Sequence, residues 1–314
     1  MGIKGISVSR LVRGNIVVIA LVVLIGIMAF ITDSFFTLRN FNNILSQIAI
    51  YGIVAFGMTI AIICGEFDLS CGALLGVVTI LFTDFAKRVN IGSAVLVCLG
   101  FCILVGFING FLVAKIKMSA FVATLATSIA LKGFALNYTS GKPINNVDNQ
   151  INQFGNGSVF GIPVIVWFFI GTLLITMYVL RFTRFGRGLY ATGGSIEVAR
   201  MAGINVSFYK IAIFMILGIT TAIAGILMAA RLSAGNALYG NDLSMTVVAA
   251  AVIGGTSLSG GKGSALKTLW GMLVIGVLFN ALMILGVQAN WQNVLKGAIL
   301  IAVVAVDATF SRKK

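Results

Sequence analysis

The chain has no histidine, only two prolines and, among its 314 residues, only eight acidic side chains. Without histidine there is no Ser-His hydrolytic pair, no His-Glu-x-x-His zinc site and no imidazole proton relay. Charge of either sign is scarce, at 10% of residues, against about a quarter in an ordinary soluble domain. A phosphate-binding loop is also missing. The glycine-rich stretch 253–263, IGGTSLSGGKG, comes nearest, but Thr256 stands where the first glycine belongs. Gly263 also replaces the Ser or Thr that would hold magnesium. Ser259 and Lys262 have Ser-x-x-Lys spacing, yet the two glycines between them would spoil the helix that aligns such a pair. No catalytic residue is therefore expected. The four cysteines (Cys64, Cys71, Cys98, Cys102) fall in or beside apolar runs and read as buried thiols, not as metal ligands.

What the chain has is apolar length: 59% of residues are hydrophobic. A bilayer span takes about 20 such residues. Candidate spans fall at 14–32, 44–64, 70–86, 91–113, 119–138, 161–180, 211–230, 243–261, 265–286 and 291–307. The expectation is an all-α, polytopic membrane bundle of about ten helices, a single domain over 1–314, with the first apolar run an uncleaved span. Basic residues test the topology. One side would hold Lys4, Arg10, Arg13, Lys115, Lys117, the bases of segment 181–210, Lys262, Lys267, Arg312, Lys313 and Lys314. The other would hold Arg39, Lys87, Arg88, Lys142 and Arg231, with Lys132 and Lys296 left inside spans. The excess marks the first side, and both termini, as cytoplasmic. This topology absorbs most of the net charge of +14 without a nucleic acid. One connector disagrees: 65–69 has two acids and no base, which points to a break within the membrane.

The longest polar stretch of the second half, 181–210, reads as a cytoplasmic loop with a short helix at its centre. Ser195 is a good N-cap after the flexible Gly193-Gly194 pair, Glu197 suits the first turn, and Gly203 can end the helix in a left-handed turn. Two turns of helix do not stand alone in water, so this one needs support from the membrane domain or from a partner. In 65–72, Asp68 or Ser70 can cap the following half-helix, whereas Glu66 and Asp68 can instead line a solute path. Thr256, Ser257 and Ser259 occupy a second glycine-rich hinge. Gly72-x-x-x-Gly76 and Gly106-x-x-x-Gly110 suit close helix packing. Segment 139–160, rich in asparagine (Asn145, Asn146, Asn149, Asn152, Asn156), is an ordered cap, a docking surface for an external partner or a mobile loop. Two short echoes, Leu69-Ser70-Cys71-Gly72 with Leu258-Ser259-Gly260-Gly261 and Leu131-Lys132-Gly133 with Leu295-Lys296-Gly297, hint at an inverted repeat.

Three of these segments together resemble the membrane permeases of ribose-type ABC sugar importers. They are Glu66-Phe67-Asp68-Leu69-Ser70-Cys71-Gly72, the run Ala191-Thr192-Gly193-Gly194-Ser195 through Ala202-Gly203-Ile204-Asn205-Val206, and Val252-Ile253-Gly254-Gly255-Thr256-Ser257-Leu258-Ser259-Gly260-Gly261. The resemblance implies a permease of a bacterial inner membrane that moves a pentose or hexose by alternating access. It implies a second permease subunit, an extracytoplasmic sugar-binding protein and a cytoplasmic ABC ATPase, which hydrolyses ATP so that this chain needs no cofactor. It assigns ATPase coupling to Gly193, Gly194, Ser195, Glu197, Ala199, Arg200, Ala202 and Gly203. Glu66, Asp68, Ser70, Thr256, Ser257 and Ser259 remain candidates for the path or its hinges. The rival class is a cation- or proton-coupled secondary transporter using Glu66 or Asp68.

Overall fold

The computed structural model describes residues 8–145 and 149–311, so Lys4, Asn146, Arg312, Lys313 and Lys314 lie outside the described residues. Helices occupy nearly all of it: α1 (Val8–Ile31), α2 (Leu38–Ile63), α3 (Cys71–Arg88), α4 (Ile91–Ala114), α5 (Ala120–Thr139), α6 (Asn149–Asn156) and α7 (Val164–Phe182). There follow α8 (Arg184–Gly194), α9 (Ile196–Met201), α10 (Val206–Leu232), α11 (Leu243–Ile253), α12 (Ala265–Ile284) and α13 (Ala289–Ser311). Among the described residues, six helices are long and apolar enough to cross a membrane: α2, α4, α5, α7, α10 and α12. Helices α1, α3, α11 and α13 fill the other four expected positions. α11 stops well short of the expected span 243–261, because Gly254 and Gly255 end it, Gly255 taking φ +92°.

α2 is the hub and is buried along most of its length. The outer helices α4, α5 and α7 instead leave Leu96, Leu104, Ile129, Leu174 and Ile175 exposed, an arrangement suited to hydrocarbon surroundings. Two polar clasps hold α12 to α2 near opposite ends. The Asn40 and Asn280 amides exchange hydrogen bonds of 3.1 and 2.8 Å, and the Thr59 and Thr268 hydroxyls meet at 2.7 Å. Inside a membrane such pairs satisfy polar atoms that lipid cannot.

The packing reveals a repeat. α10 packs on α4 and α3, α3 on α4 and α5; in the same way α2 packs on α12 and α11, and α11 on α12 and α13. The set α2–α5 thus matches α10–α13. Lys210, near the start of α10, pairs with Glu66, just past the end of α2, so the two sets run in opposite directions. The Leu131 and Leu295 echo falls on matching helices, α5 and α13. The Leu69 and Leu258 echo does not. The counterpart of Asp68-Leu69-Ser70, which leads into α3, is Asp242-Leu243-Ser244, which leads into α11. Both turns are preceded by a left-handed glycine, Gly65 at φ +88° and Gly240 at +85°.

The described parts of segment 139–160, residues 139–145 and 149–160, form a cap with secondary structure of its own. Strand β1 (Ile144–Asn145) pairs with β4 (Ala234–Gly235), and β2 (Ser158–Val159) with β3 (Ile162–Pro163), both antiparallel. Asn156 donates to the Arg231 carbonyl at 3.2 Å, and Asn152 to the Ser233 hydroxyl, also at 3.2 Å, closing the end of α10.

Of the two small-residue motifs, only one joins helices. A Cβ on Gly106 would stand 2.4 Å from the Phe214 carbonyl oxygen, and one on Gly110 2.7 Å from the Ile211 Cα, so α4 and α10 touch backbone to backbone. Gly72 and Gly76 instead abut the irregular 237–240 segment, at the Gly240 and Ala237 carbonyls. Gly100, on the same helix as Gly106, has open space around its α-carbon. Gly106→Ala is therefore expected to destabilise the purified protein by about 1–3 kcal/mol through overpacking. Gly100→Ala is expected to be neutral or stabilising by up to about 1 kcal/mol. Thermal unfolding in detergent compares the pair.

Candidate functional site

The three segments singled out by motif meet at one place. α2 closes in a glycine turn in which the Gly65 and Glu66 amides donate to the Ile62 and Ala61 carbonyls at 2.9 and 3.0 Å. α11 closes in the same way, with Gly255 and Thr256 donating to Val252 and Ala251 at 2.8 and 2.9 Å. Both turns satisfy carbonyls that a helix end leaves open. The end of α8 wedges between these two breaks. The Gly261 amide donates to the Ile63 carbonyl at 2.9 Å. A Cβ on Gly193 would lie 1.8 Å from that same Ile63 oxygen, and one on Gly260 2.6 Å from the Gly193 oxygen. Gly261 is equally tight against Gly194, at 2.8 Å. No side chain fits between these strands of backbone.

Two further contacts define the junction. The Tyr190 hydroxyl donates to the Gly263 carbonyl at 2.9 Å; burial holds this phenol above its usual pKa, so it remains a neutral donor. The Thr192 and Thr256 hydroxyls are buried here without any hydrogen-bond partner.

Beyond the junction the chain forms α9. Ser195 caps it, accepting from the Val198 amide at 3.3 Å, and Glu197 lies in its first turn. Gly203 takes φ +77°, while the Gly203 and Ile204 amides donate to Arg200 and Ala199, each at 3.0 Å. The Gly193-Gly194 pair is not the flexible link expected from sequence. It forms the last turn of α8, and the missing side chain of Gly193 serves close contact, while a Cβ on Gly194 would meet open space. Ala199 is buried, whereas Ile196, Val198 and Met201 point outward, Met201 at 81% exposure. Arg200 and Ala202 are exposed as well.

The carboxylates of the first break are already engaged. Glu66 forms an ion pair with Lys210. Asp68 is buried beside no cation. Its Oδ1 accepts from the Ser70 amide at 2.6 Å and the Ser70 hydroxyl at 2.5 Å, with the Asn109 amide 3.5 Å from Oδ2. Asn109 also donates to the Ser70 hydroxyl at 3.0 Å and accepts from Thr127 at 2.7 Å. The start of α3 supplies the positive end of a helix dipole in place of a counter-ion. Ser70, not Asp68, occupies the N-cap position of α3, and it makes no side-chain cap bond to the helix. Asp68 instead braces that turn. Neither Asp68 nor Ser70 borders any of the described cavities. Ser257 accepts from the Ser259 amide at 3.4 Å within the second break, and its own amide donates to Lys262. Sequence reasoning missed Asp242, whose signal was the repeated Asp-Leu-Ser triplet, and left Lys296 without a role.

The family described as branched-chain amino acid transport system permease component matches residues 40–304. The ribose import permease protein RbsC of Escherichia coli K12 is 38% identical over 295 residues, covering 92% of both chains. RbsC of Bacillus subtilis is 38% identical over 92% of this chain and 91% of its own. The L-arabinose transport system permease protein AraH of E. coli K12 is 35% identical over 89% and 85% respectively. No solved structure matches. The chain belongs to this family of transport-system permeases.

The Glu66–Lys210 pair makes a direct test of whether Glu66 is a structural residue. Each side chain is mostly buried, at 13% and 16% exposure. Glu66→Gln or Lys210→Met alone is expected to cost about 1–3 kcal/mol, less than the 3–5 of a fully buried pair. The double variant is expected to recover much of the loss, as a thermodynamic cycle in unfolding experiments will show.

Proposed function

We propose that the chain is the membrane-spanning subunit of an ATP-driven importer of sugars in a bacterial inner membrane. The observation that carries this reading is the junction of Gly65, Gly193 and Gly260, where a surface helix is welded to two breaks in the bundle. α9 presents Ile196, Val198 and Met201 outward, a small apolar face on a helix too short to persist without support. An ATPase subunit seated on that face would push α8, and through Gly193 would move the ends of α2 and α11 together. Binding of ATP and of a loaded binding protein to different arrangements then biases alternating access.

The junction end of the bundle is the cytoplasmic end on this reading, and the 139–160 cap faces the binding protein. A second permease subunit completes the channel. The named solutes of the relatives, ribose and L-arabinose, favour a pentose or related sugar over the amino acids in the family's description. A cation-coupled mechanism gains nothing from the geometry, since Glu66 and Asp68 are both already bonded.

Replacing the apolar tip of α9 tests the coupling role without disturbing the bundle. Val198→Asp with Met201→Asp is expected to leave membrane insertion and thermal stability unchanged. It is also expected to abolish co-purification of the ATPase and to cut uptake at least tenfold. Normal ATP-coupled uptake by this variant would remove α9 from the mechanism.

A further inference from the structure

The Asp-Leu-Ser turn occurs twice, and the two copies are not used alike. In the first, Asp68 is sealed at 4% exposure and spends its hydrogen-bonding capacity on Ser70 and Asn109. In the second, the serine does the structural duty: the Ser244 hydroxyl donates to the Leu69 carbonyl and accepts from the Gly72 amide, both at 3.0 Å, locking the two turns together. Asp242 is turned the other way. Its carboxylate forms an ion pair with Lys296 of α13 and accepts from the Tyr51 hydroxyl of α2 at 3.2 Å. Both charged side chains border a cavity of about 360 Å³, together with Thr246, Phe279 and Asn293. Asp242 and Lys296 retain 34% and 25% side-chain exposure.

The depth of this cavity follows from helix length. α11 spans 11 residues, about 16 Å of rise, and its far end abuts the glycine junction. Asp242, at its start, therefore stands about half way across a hydrocarbon core of about 30 Å. Tyr51 lies midway along α2. Ionised groups at that depth are costly and, when retained, are paired or face a water-filled space. Here they do both.

We propose that this cavity is the transit site for a neutral, polyhydroxylated solute at mid-membrane. The pairing of Asp242 with Lys296 leaves no net charge, so the site offers ions little attraction. It nevertheless presents carboxylate acceptors, ammonium donors, the Thr246 hydroxyl and the Asn293 amide to a ring of hydroxyl groups. The Phe279 ring, with the Lys296 ammonium 4.8 Å from its centroid, supplies an apolar wall. The volume lies within the range of small-molecule sites, about 300–1,000 Å³. The proposal rests on the importer reading above and assigns its solute path to residues outside the three motifs.

The test uses the complete complex of permease, ATPase and binding protein in proteoliposomes, with radiolabelled ribose, L-arabinose, xylose, glucose and galactose as probes. Asp242→Asn and Lys296→Gln are each expected to lower uptake at least tenfold while binding-protein-stimulated ATP hydrolysis stays within twofold of wild type. The swapped double variant, Asp242→Lys with Lys296→Asp, is expected to regain thermal stability but not uptake. Should the charge variants fail to assemble, Asn293→Cys provides a gentler probe, because the four native cysteines are buried. Its modification by a small neutral maleimide is expected to block uptake and to slow during sugar turnover. Wild-type uptake by the single variants, by the charge swap or by the maleimide-labelled Asn293→Cys protein overturns the site. A wild-type complex that imports none of the five sugars overturns the importer reading itself, and with it this site.

Discussion

Inside hydrocarbon no water completes a broken helix, so every backbone N–H and C=O must find a partner within the protein. This chain breaks its helices at 64–70 and 254–264 all the same. It does so by closing each end with a left-handed glycine turn and by laying the breaks against one another and against α8. The Gly261 amide on the Ile63 carbonyl is the bond where the two breaks meet. Backbone can satisfy backbone at this range only where side chains are missing, which explains why glycines 193, 260 and 261 cluster in space while lying far apart in sequence.

The same closeness determines how motion would travel. Interfaces packed at backbone contact have little freedom to deform gradually, so they tend to hold one arrangement or switch to another. At Gly193, α8 meets the end of α2 and the 260–261 segment backbone to backbone, so a tilt of α8 would be passed to both without a flexible side chain to absorb it. The two polar clasps between α2 and α12, at Asn40–Asn280 and Thr59–Thr268, would carry a shift of α2 into α12. On the proposed coupling role of α8 and α9, the lever, the hinge and the transmitting helix would be contiguous.

Much of this was legible in the sequence. The positions of the apolar helices, the Ser195 cap, the Gly203 terminus and the break after Glu66 all follow from local chemistry that acts over a few residues. What escaped was long-range. Gly193-Gly194 looks flexible in a string of letters, because nothing there reveals that Ile63 and Gly261 press on it. The carboxylates of 65–72 look like path residues until Lys210 and Asn109, far along the chain, are seen to occupy them. Of the two sequence echoes, Leu-Lys-Gly at 131 and 295 falls on matching helices and the glycine-rich one does not; the clearest trace of the repeat is Asp-Leu-Ser at 68 and again at 242.

That repeat also explains why the second half is the better place to look for a solute. Two inverted copies of one fold begin with equivalent polar turns at equivalent depth. Stability requires only that each turn be satisfied, and in the first copy Ser70 and Asn109 engage the Asp68 carboxylate. The second meets it through Ser244, which reaches across to the first copy's Leu69 and Gly72. That division of labour frees Asp242 from bracing its own turn. A carboxylate so released at mid-membrane is tolerable only with a counter-charge, and Lys296 provides one from α13. The asymmetry is then a consequence of the symmetry: one shared serine secures both turns, and the spare aspartate is available for chemistry that the scaffold does not need.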